Sequence, residues 1–271
     1  MSQVHDLLRR YGIEPRKELS QHFLVDQGAL KRIVAAAELT PGQHVLEIGA
    51  GPGTLTRALL DAGVRVTAVE LDRALLRVLE EELGDQPTVR LVGGDILSLD
   101  VGELMGGEPY GVVANLPYAI TSAVLRHLLE ASLPPQRMVL MVQREVAERI
   151  VARDGRMSLL AVSVHFYGQP RLIMRLKPAA FYPPPQVESA VIRIDLHPPP
   201  LPPQQRESFF RLVRAGFAQP RKQLRNSLSA GLGIDPQEAI QALEEAHIDP
   251  RLRAERLSVA DWVRLSQAIS C

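Results

Sequence analysis

Beyond residue 44 the chain alternates short apolar runs with stretches of helical periodicity, and this alternation restricts the possible fold more than any other feature. Val45–Ile48 reads as a strand and Thr54–Asp61 as a helix. Val64–Val69, Thr88–Val92 and Gly111–Ala114 read as strands, with a helix over Arg73–Leu83 between the first two. A helix over 121–131, a strand over Met138–Val142, a helix from about 144 and an apolar stretch over 157–167 follow. Strand-like runs at Arg171–Leu176 and Ser189–Leu196 close the series. A parallel neighbour needs a long crossover, so this order predicts an α/β, Rossmann-like, mostly parallel sheet with helices on both faces. The last two runs are joined by a loop rather than a helix, which predicts an antiparallel pair at one edge.

The flanks differ in character. Residues 1–20 form a polar lead-in carrying Arg9, Arg10, Arg16 and Lys17. Asp26 is placed to N-cap a helix over 27–38. At the other end His197-Pro-Pro-Pro-Leu-Pro-Pro203 is a stiff extended linker. Beyond it only helical patterns occur, over about 205–218, 221–231, 236–246 and 258–269. The expected domains are therefore 1–197 and an all-α 204–271. The single cysteine, Cys271, excludes an intramolecular disulfide, and no metal site is expected. A reducing, cytoplasmic compartment fits, and no apolar run is long enough to span a bilayer. Basic and acidic residues balance at 31 each, so any nucleic-acid surface must come from how charge is distributed. Only four of the basic residues are lysine (17, 31, 177 and 222). An arginine-rich surface suits phosphate forks, although base composition or a hot habitat explains the same bias.

The residues at the strand ends are the informative ones, because ligands of open α/β sheets bind beyond the carboxyl ends of the strands. After the first strand comes Gly49-Ala-Gly51-Pro-Gly53, whose glycines permit close backbone approach and unusual φ values. A nicotinamide dinucleotide fingerprint wants glycine where Thr54 stands, and Pro52 removes a backbone donor that a pyrophosphate would use. A cofactor without phosphate fits better. Glu70 ends the second strand, where a carboxylate accepts both hydroxyls of a ribose. Asp95 follows the third and is placed to accept from an adenine amine. Taken singly, each acid reads better as a solvated loop acid or helix cap. After the fourth strand comes Asn115-Leu116-Pro117-Tyr118: an amide to grip a base edge, a rigid turn and a ring to stack on a base face. Together these ends describe an adenosine pocket beside a second base pocket.

With these motifs the chain resembles the class I S-adenosylmethionine methyltransferases. More narrowly, it is similar to the small-subunit (16S) rRNA adenine N6-dimethyltransferases, the kasugamycin-sensitivity methyltransferase family. The likeness runs through Gln21-His-Phe-Leu-Val-Asp26, Glu47–Gly53, Asn115–Tyr118, Phe181-Tyr-Pro-Pro-Pro-Gln-Val-Glu-Ser-Ala190, Phe217 and Arg221-Lys-Gln-Leu-Arg-Asn-Ser227. It implies a seven-stranded catalytic domain with a small helical RNA-binding domain, and S-adenosylmethionine as cofactor. It places His22 and Leu24 beside that cofactor, Gly49 (with Gly51 in the same turn) against its methionine part, Glu70 on the ribose and Asp95 on the adenine. Asn115 would touch both cofactor and target. The implied product is N6,N6-dimethyladenosine at two adjacent adenosines near the 3′ end of small-subunit rRNA. The target amine would be held by Asn115 Oδ1 and the Leu116 carbonyl, with Tyr118 on one face of the base and Phe181 on the other.

The expected partner is the small ribosomal subunit, bound by a monomer with no membrane contact. Arg211, Arg214, Arg221, Lys222 and Arg225 are the candidate RNA contacts, with Arg211, Arg214, Arg221 and Arg225 along one side of a helical pair. Arg144, Arg149, Arg153 and Arg156 alternate with Glu145, Glu148 and Asp154 and read as a salt-linked surface. Two other readings share the motifs: a DNA adenine N6-methyltransferase, and a non-catalytic ribosome-assembly or RNA-binding factor on the same fold.

Overall fold

The computed structural model describes residues 3–153 and 155–269. The side chain of Lys17, together with Asp154 and Cys271, lies outside the described residues. Two compact units result. One takes the chain up to Ala147 together with Pro170–Leu196; the other takes Glu148–Gln169 and the chain from His197 on.

The first unit opens with α1 (Gln3–Arg10), a short strand β1 (Phe23–Leu24) and α2 (Gln27–Ala37). Asp26 caps α2 as expected, its carboxylate accepting from the Ala29 N–H. Then come β2 (His44–Ile48), α3 (Thr54–Asp61), β3 (Arg65–Glu70), α4 (Arg73–Leu83), β4 (Val89–Gly93), α5 (Val101–Leu104) and β5 (Tyr110–Asn115). The chain continues through α6 (Thr121–Leu129), β6 (Arg137–Gln143), α7 (Arg144–Ile150), α8 (Leu159–Tyr167), β7 (Gly168–Leu176), β8 (Phe181–Tyr182) and β9 (Ser189–Leu196). Seven strands form one sheet in the order β4-β3-β2-β5-β6-β9-β7. The pairings of β2 with β3 and β5, β3 with β4 and β5 with β6 are parallel; β9 runs antiparallel to β6. Val45, Leu46, Val112, Val113 and Met138–Val142 are all buried, the near-continuous apolar run that a sheet covered on both faces requires. The order reverses between β2 and β5, so their carboxyl ends, Ile48 and Asn115, open the crevice where ligands bind.

At the opposite end of the sheet, arginines complete a helix. Arg137 Nη1 donates to the Ala37 carbonyl (2.7 Å) and Arg193 Nη1 to the Ala36 carbonyl (2.9 Å), the last-turn acceptors of α2 that have no intrahelical partner. Arg193 is itself buried and pairs with Asp195 and Glu38, which holds Asp195 and Glu38 below the usual carboxylate range.

The second unit adds α9 (Pro203–Phe217), α10 (Leu224–Leu232), α11 (Pro236–Glu245) and α12 (Val259–Ala268). It also takes α8, so the expected boundary at 197 is corrected: 148–169 belong with the helices. The reason is aromatic. Phe166 packs on Phe209 and Phe210 of α9 with ring centroids 4.6 Å and 5.1 Å apart, in a tilted and an edge-on arrangement. Trp262 of α12 fills the space left by Gly216, where an added Cβ would stand 2.3 Å from its ring. Arg221 and Lys222 fall in the turn before α10 rather than on it, which corrects the expected helix start at 221. Among the described residues no helix is long and apolar enough to cross a membrane.

Candidate functional site

The carboxyl ends of β2, β3, β4 and β5 line one cavity, into which Gly49, Gly51, Glu70, Asp95, Asn115, Leu116, Pro117 and Tyr118 all project some part. Gly49, Gly51 and Gly53 each have positive φ (71°, 58° and 80°), so the turn between β2 and α3 is available to glycine and little else. A Cβ on Gly51 would press against the Phe23 ring at 3.0 Å. Bare backbone at Gly49 and Gly51 thus forms the floor of the cavity.

Glu70 is buried, and each carboxylate oxygen already accepts one backbone bond: Oε2 from Gly51 N–H and Oε1 from Asp72 N–H, both 2.8 Å. Burial raises its carboxyl above the ordinary range, and these N–H groups pull it part of the way back. Each oxygen keeps a second acceptor direction for a ligand hydroxyl. Asp95 lines the cavity and also caps a turn. One oxygen caps the turn over Ile96–Ser98 by accepting from Leu97 N–H (3.0 Å), and the residue remains exposed along the cavity. The apolar side chains of Ile48, Val69, Leu71, Leu75 and Ile96 complete this half. A flat adenosine with a ribose fits such a wall.

The other half is built around Asn115. Its Nδ2 donates to the His22 carbonyl (2.8 Å). A carbonyl only accepts, so this bond fixes the amide and leaves Oδ1 as the group presented elsewhere. His22 Nδ1 in turn lies 2.8 Å from the Pro183 carbonyl, which fixes its proton on Nδ1. Tyr118 sits beyond the Pro117 turn with its hydroxyl 2.7 Å from the buried Ser189 Oγ. Burial raises the phenol above its ordinary range, so it stays neutral at physiological pH. Its ring lies nearly parallel to the His22 imidazole, 24° between planes and 6.1 Å between centroids.

The side chains of two expected site residues, Leu24 and Phe181, turn into the hydrophobic core rather than the cavity. They pair across the β1–β8 ladder and sit in the hydrophobic core, 5% and 3% exposed. Directly opposed residues of an antiparallel pair share a face, so Phe23 and Tyr182 take the other one. Phe23 therefore lines the cavity, and His22 is a ring that faces Tyr118. A two-residue strand has no periodicity to read, so no local signal marked Phe23. Gln21, also on the cavity wall, bonds to the buried Asp72, and no local pattern announces that. Glu47 lies behind the glycine turn, 1% exposed; burial pushes its carboxyl up to about 8, against which Thr56 is a partial partner.

The basic candidates Arg211, Arg214, Arg221 and Lys222 are exposed on the second unit, and Arg225 is half-buried there. Arg144, expected among local acids, pairs with Glu188 at 2.7 Å.

A sheet of this order with a glycine turn, an acid ending the second core strand and an amide–aromatic turn after β5 defines a class I methyltransferase fold. The family model for ribosomal RNA adenine dimethylase matches residues 13–270. A Ribosomal RNA small subunit methyltransferase A from Dehalococcoides mccartyi is 47% identical over 98% of this chain and 92% of the relative. Its counterpart from Pelotomaculum thermopropionicum is 41% identical over 98% of this chain and 95% of the relative. Among solved structures, the 23S rRNA methyltransferase ErmE superposes with a TM-score of 0.73 at 29% identity, covering 91% of this chain and 98% of that one. A dimethyladenosine transferase from Plasmodium falciparum gives 0.75 at 23% identity, covering 90% and 96%, and attests the fold. The chain belongs to the ribosomal RNA adenine dimethylase family, and is an enzyme of ribosomal RNA methylation.

Proposed function

We propose that this enzyme uses S-adenosylmethionine to place two methyl groups on the N6 amine of each of two adjacent adenosines near the 3′ end of small-subunit rRNA. The observation that carries the reading is the fixed amide of Asn115, whose Nδ2 is committed to the His22 carbonyl and whose Oδ1 is left to accept.

S-adenosylmethionine supplies a methyl group on a sulfonium, already electrophilic. What the protein must add lies on the side of the nucleophile, because the N6 lone pair is delocalised into the adenine ring. Asn115 Oδ1 and the Leu116 carbonyl accept the N6 hydrogens, hold the amine and disperse positive charge as it develops, which is preorganised electrostatics rather than general-base catalysis. Tyr118 provides the stacking face, with its hydroxyl engaged by Ser189. The base must leave its stack to reach the turn. After the first transfer the methylated nitrogen releases one proton to solvent, and the N–H that remains is held by one of the same acceptors for the second transfer. The cofactor half of the site fits an adenosine through Glu70 for the ribose, Asp95 for the adenine edge and the bare backbone at Gly49 and Gly51.

The substrate assignment rests on the relatives, which are named for the small ribosomal subunit. Arg211, Arg214, Arg221, Lys222 and Arg225 are the proposed phosphate contacts on the second unit, and a small-subunit rRNA substrate implies a cytoplasmic enzyme. Asn115→Ala and Tyr118→Ala are each expected to reduce labelled-methyl transfer to unmethylated small subunits by at least about a hundredfold while leaving subunit binding within a few-fold. Full activity in both variants refutes the site.

A further inference from the structure

The stretch between α1 and β1 supplies one side of the cavity through Glu18, Leu19, Ser20, Gln21, His22 and Phe23. Its own secondary structure is a single three-residue turn over Lys17–Leu19, followed by Ser20 at φ 53° in the left-handed region. Side-chain bonds therefore hold it. Near the target-base half these are the bonds of His22 to Asn115 and Pro183. On the ribose half they converge on Asp72, which is 4% exposed.

Asp72 makes more bonds than a helix cap needs. Oδ1 accepts from Ala74 N–H (2.9 Å) and caps α4. Oδ2 accepts from Gln21 Nε2 (2.9 Å) and lies 3.7 Å from Arg16 Nε. The Asp72 N–H itself donates to Glu70 Oε1. Gln21 Oε1 accepts from the Arg16 N–H (2.7 Å), so the amide that reaches Asp72 also closes the turn behind it. One residue thus ties the carboxylate facing the ribose to the segment that walls the cavity.

We propose that Asp72 and Gln21 form a latch that positions this wall over the cofactor, and that its opening sets how fast cofactor exchanges. The inference rests on reading the cavity as the S-adenosylmethionine site. Asp72 acts through Glu70 and Gln21 and is a positioning residue. Cofactor must leave and be replaced between the two methylations of one adenine, so the latch governs a step that recurs within each substrate.

Asp72→Asn is the sharp test. Asparagine keeps an oxygen for Ala74, and so keeps the cap, but turns an NH2 toward Gln21 Nε2, donor against donor, and loses the charge that faces Arg16. The expected results are an S-adenosylmethionine Kd weakened by roughly tenfold through faster dissociation, kcat at saturating cofactor within about twofold of the parent, a melting temperature lowered by about a few degrees, and tryptic cleavage after Arg16 or Lys17 accelerated roughly fivefold in the cofactor-free protein. Gln21→Ala should reproduce the faster cleavage and the weaker binding. It also serves should Asp72→Asn fail to fold, and the double variant should be no worse than the poorer single one. Cleavage at the parental rate overturns the latch, whatever happens to affinity; so does faster cleavage with unchanged Kd. If the parent binds no S-adenosylmethionine, the reading of the cavity fails, while the cleavage measurement still reports separately on the Asp72–Gln21 bond.

Discussion

Tyr118 offers a ring and a hydroxyl, and the structure gives them separate work. The hydroxyl is engaged by Ser189 at 2.7 Å, which leaves the ring as the part that can meet a base. Tyr118→Phe removes one partly buried hydrogen bond, worth about 1 kcal/mol, and keeps the stacking face. Its methyl-transfer rate is expected within several-fold of the parent, whereas Tyr118→Ala loses at least about a hundredfold. Equal damage in both variants would assign the role to the hydroxyl instead. Glu47 gives a prediction of another kind. Its carboxyl is held at about 8 in the folded chain against 4.5 ordinarily, with burial the main cause. The folded state binds that proton more tightly than the unfolded state, so the stability it contributes is complete below the ordinary value and is lost as pH rises through about 8. Glu47→Gln removes the titration. Between about pH 5 and about pH 9 the parent should lose a few kcal/mol of unfolding free energy relative to the variant. Parallel pH profiles in denaturant melts would contradict the assignment.

The elements were legible in proportion to how local their causes are. The strand–helix alternation gave six of the seven strands of the main sheet to within a residue and the edge strand β7 to within three, most clearly where a strand buried on both faces must be apolar throughout. The Asp26 cap, the glycine turn and the acids at the strand ends were visible for the same reason. The β1–β8 pair is two residues long and has no periodicity to read, so nothing local showed that its ladder turns the Phe181 and Leu24 side chains to the core. Residues 157–167 looked apolar enough for the sheet domain, and only their aromatic partners on α9 show where they belong. Asp72 caps α4 locally, but its second oxygen meets Gln21 through tertiary structure alone. The glycine turn allows a quantitative test. At Gly53 φ is 80°, and an added Cβ would meet Leu79 at 2.9 Å and Leu83 at 3.1 Å. Gly53→Ala should destabilise the fold by about 2 kcal/mol in urea melts, roughly the left-handed penalty with some repacking. A neutral result would mean that the α3–α4 packing yields more readily than this geometry implies.

For the whole molecule, formal neutrality conceals a division of labour in charge. Arg137 and Arg193 are spent on α2 and its neighbouring acids, and Arg57 and Arg10 on Glu82. Arg211, Arg214, Arg221 and Lys222 stand exposed on the helical unit. Replacing any one of them by alanine should lower the salt slope of rRNA binding by about 1 and leave S-adenosylmethionine affinity unchanged; an unaltered slope across all four removes them from the interface.

The central claim is chemical, that this site delivers methyl groups to the N6 of particular adenosines. It is tested most directly by labelled-methyl transfer from S-adenosylmethionine to unmethylated small subunits, followed by primer-extension mapping of the product, with duplex DNA as competitor. The expected product is two adjacent stops near the 3′ end of the small-subunit rRNA, two methyl groups at each, and no label in DNA. Label in DNA, at other rRNA positions, or nowhere at all contradicts it.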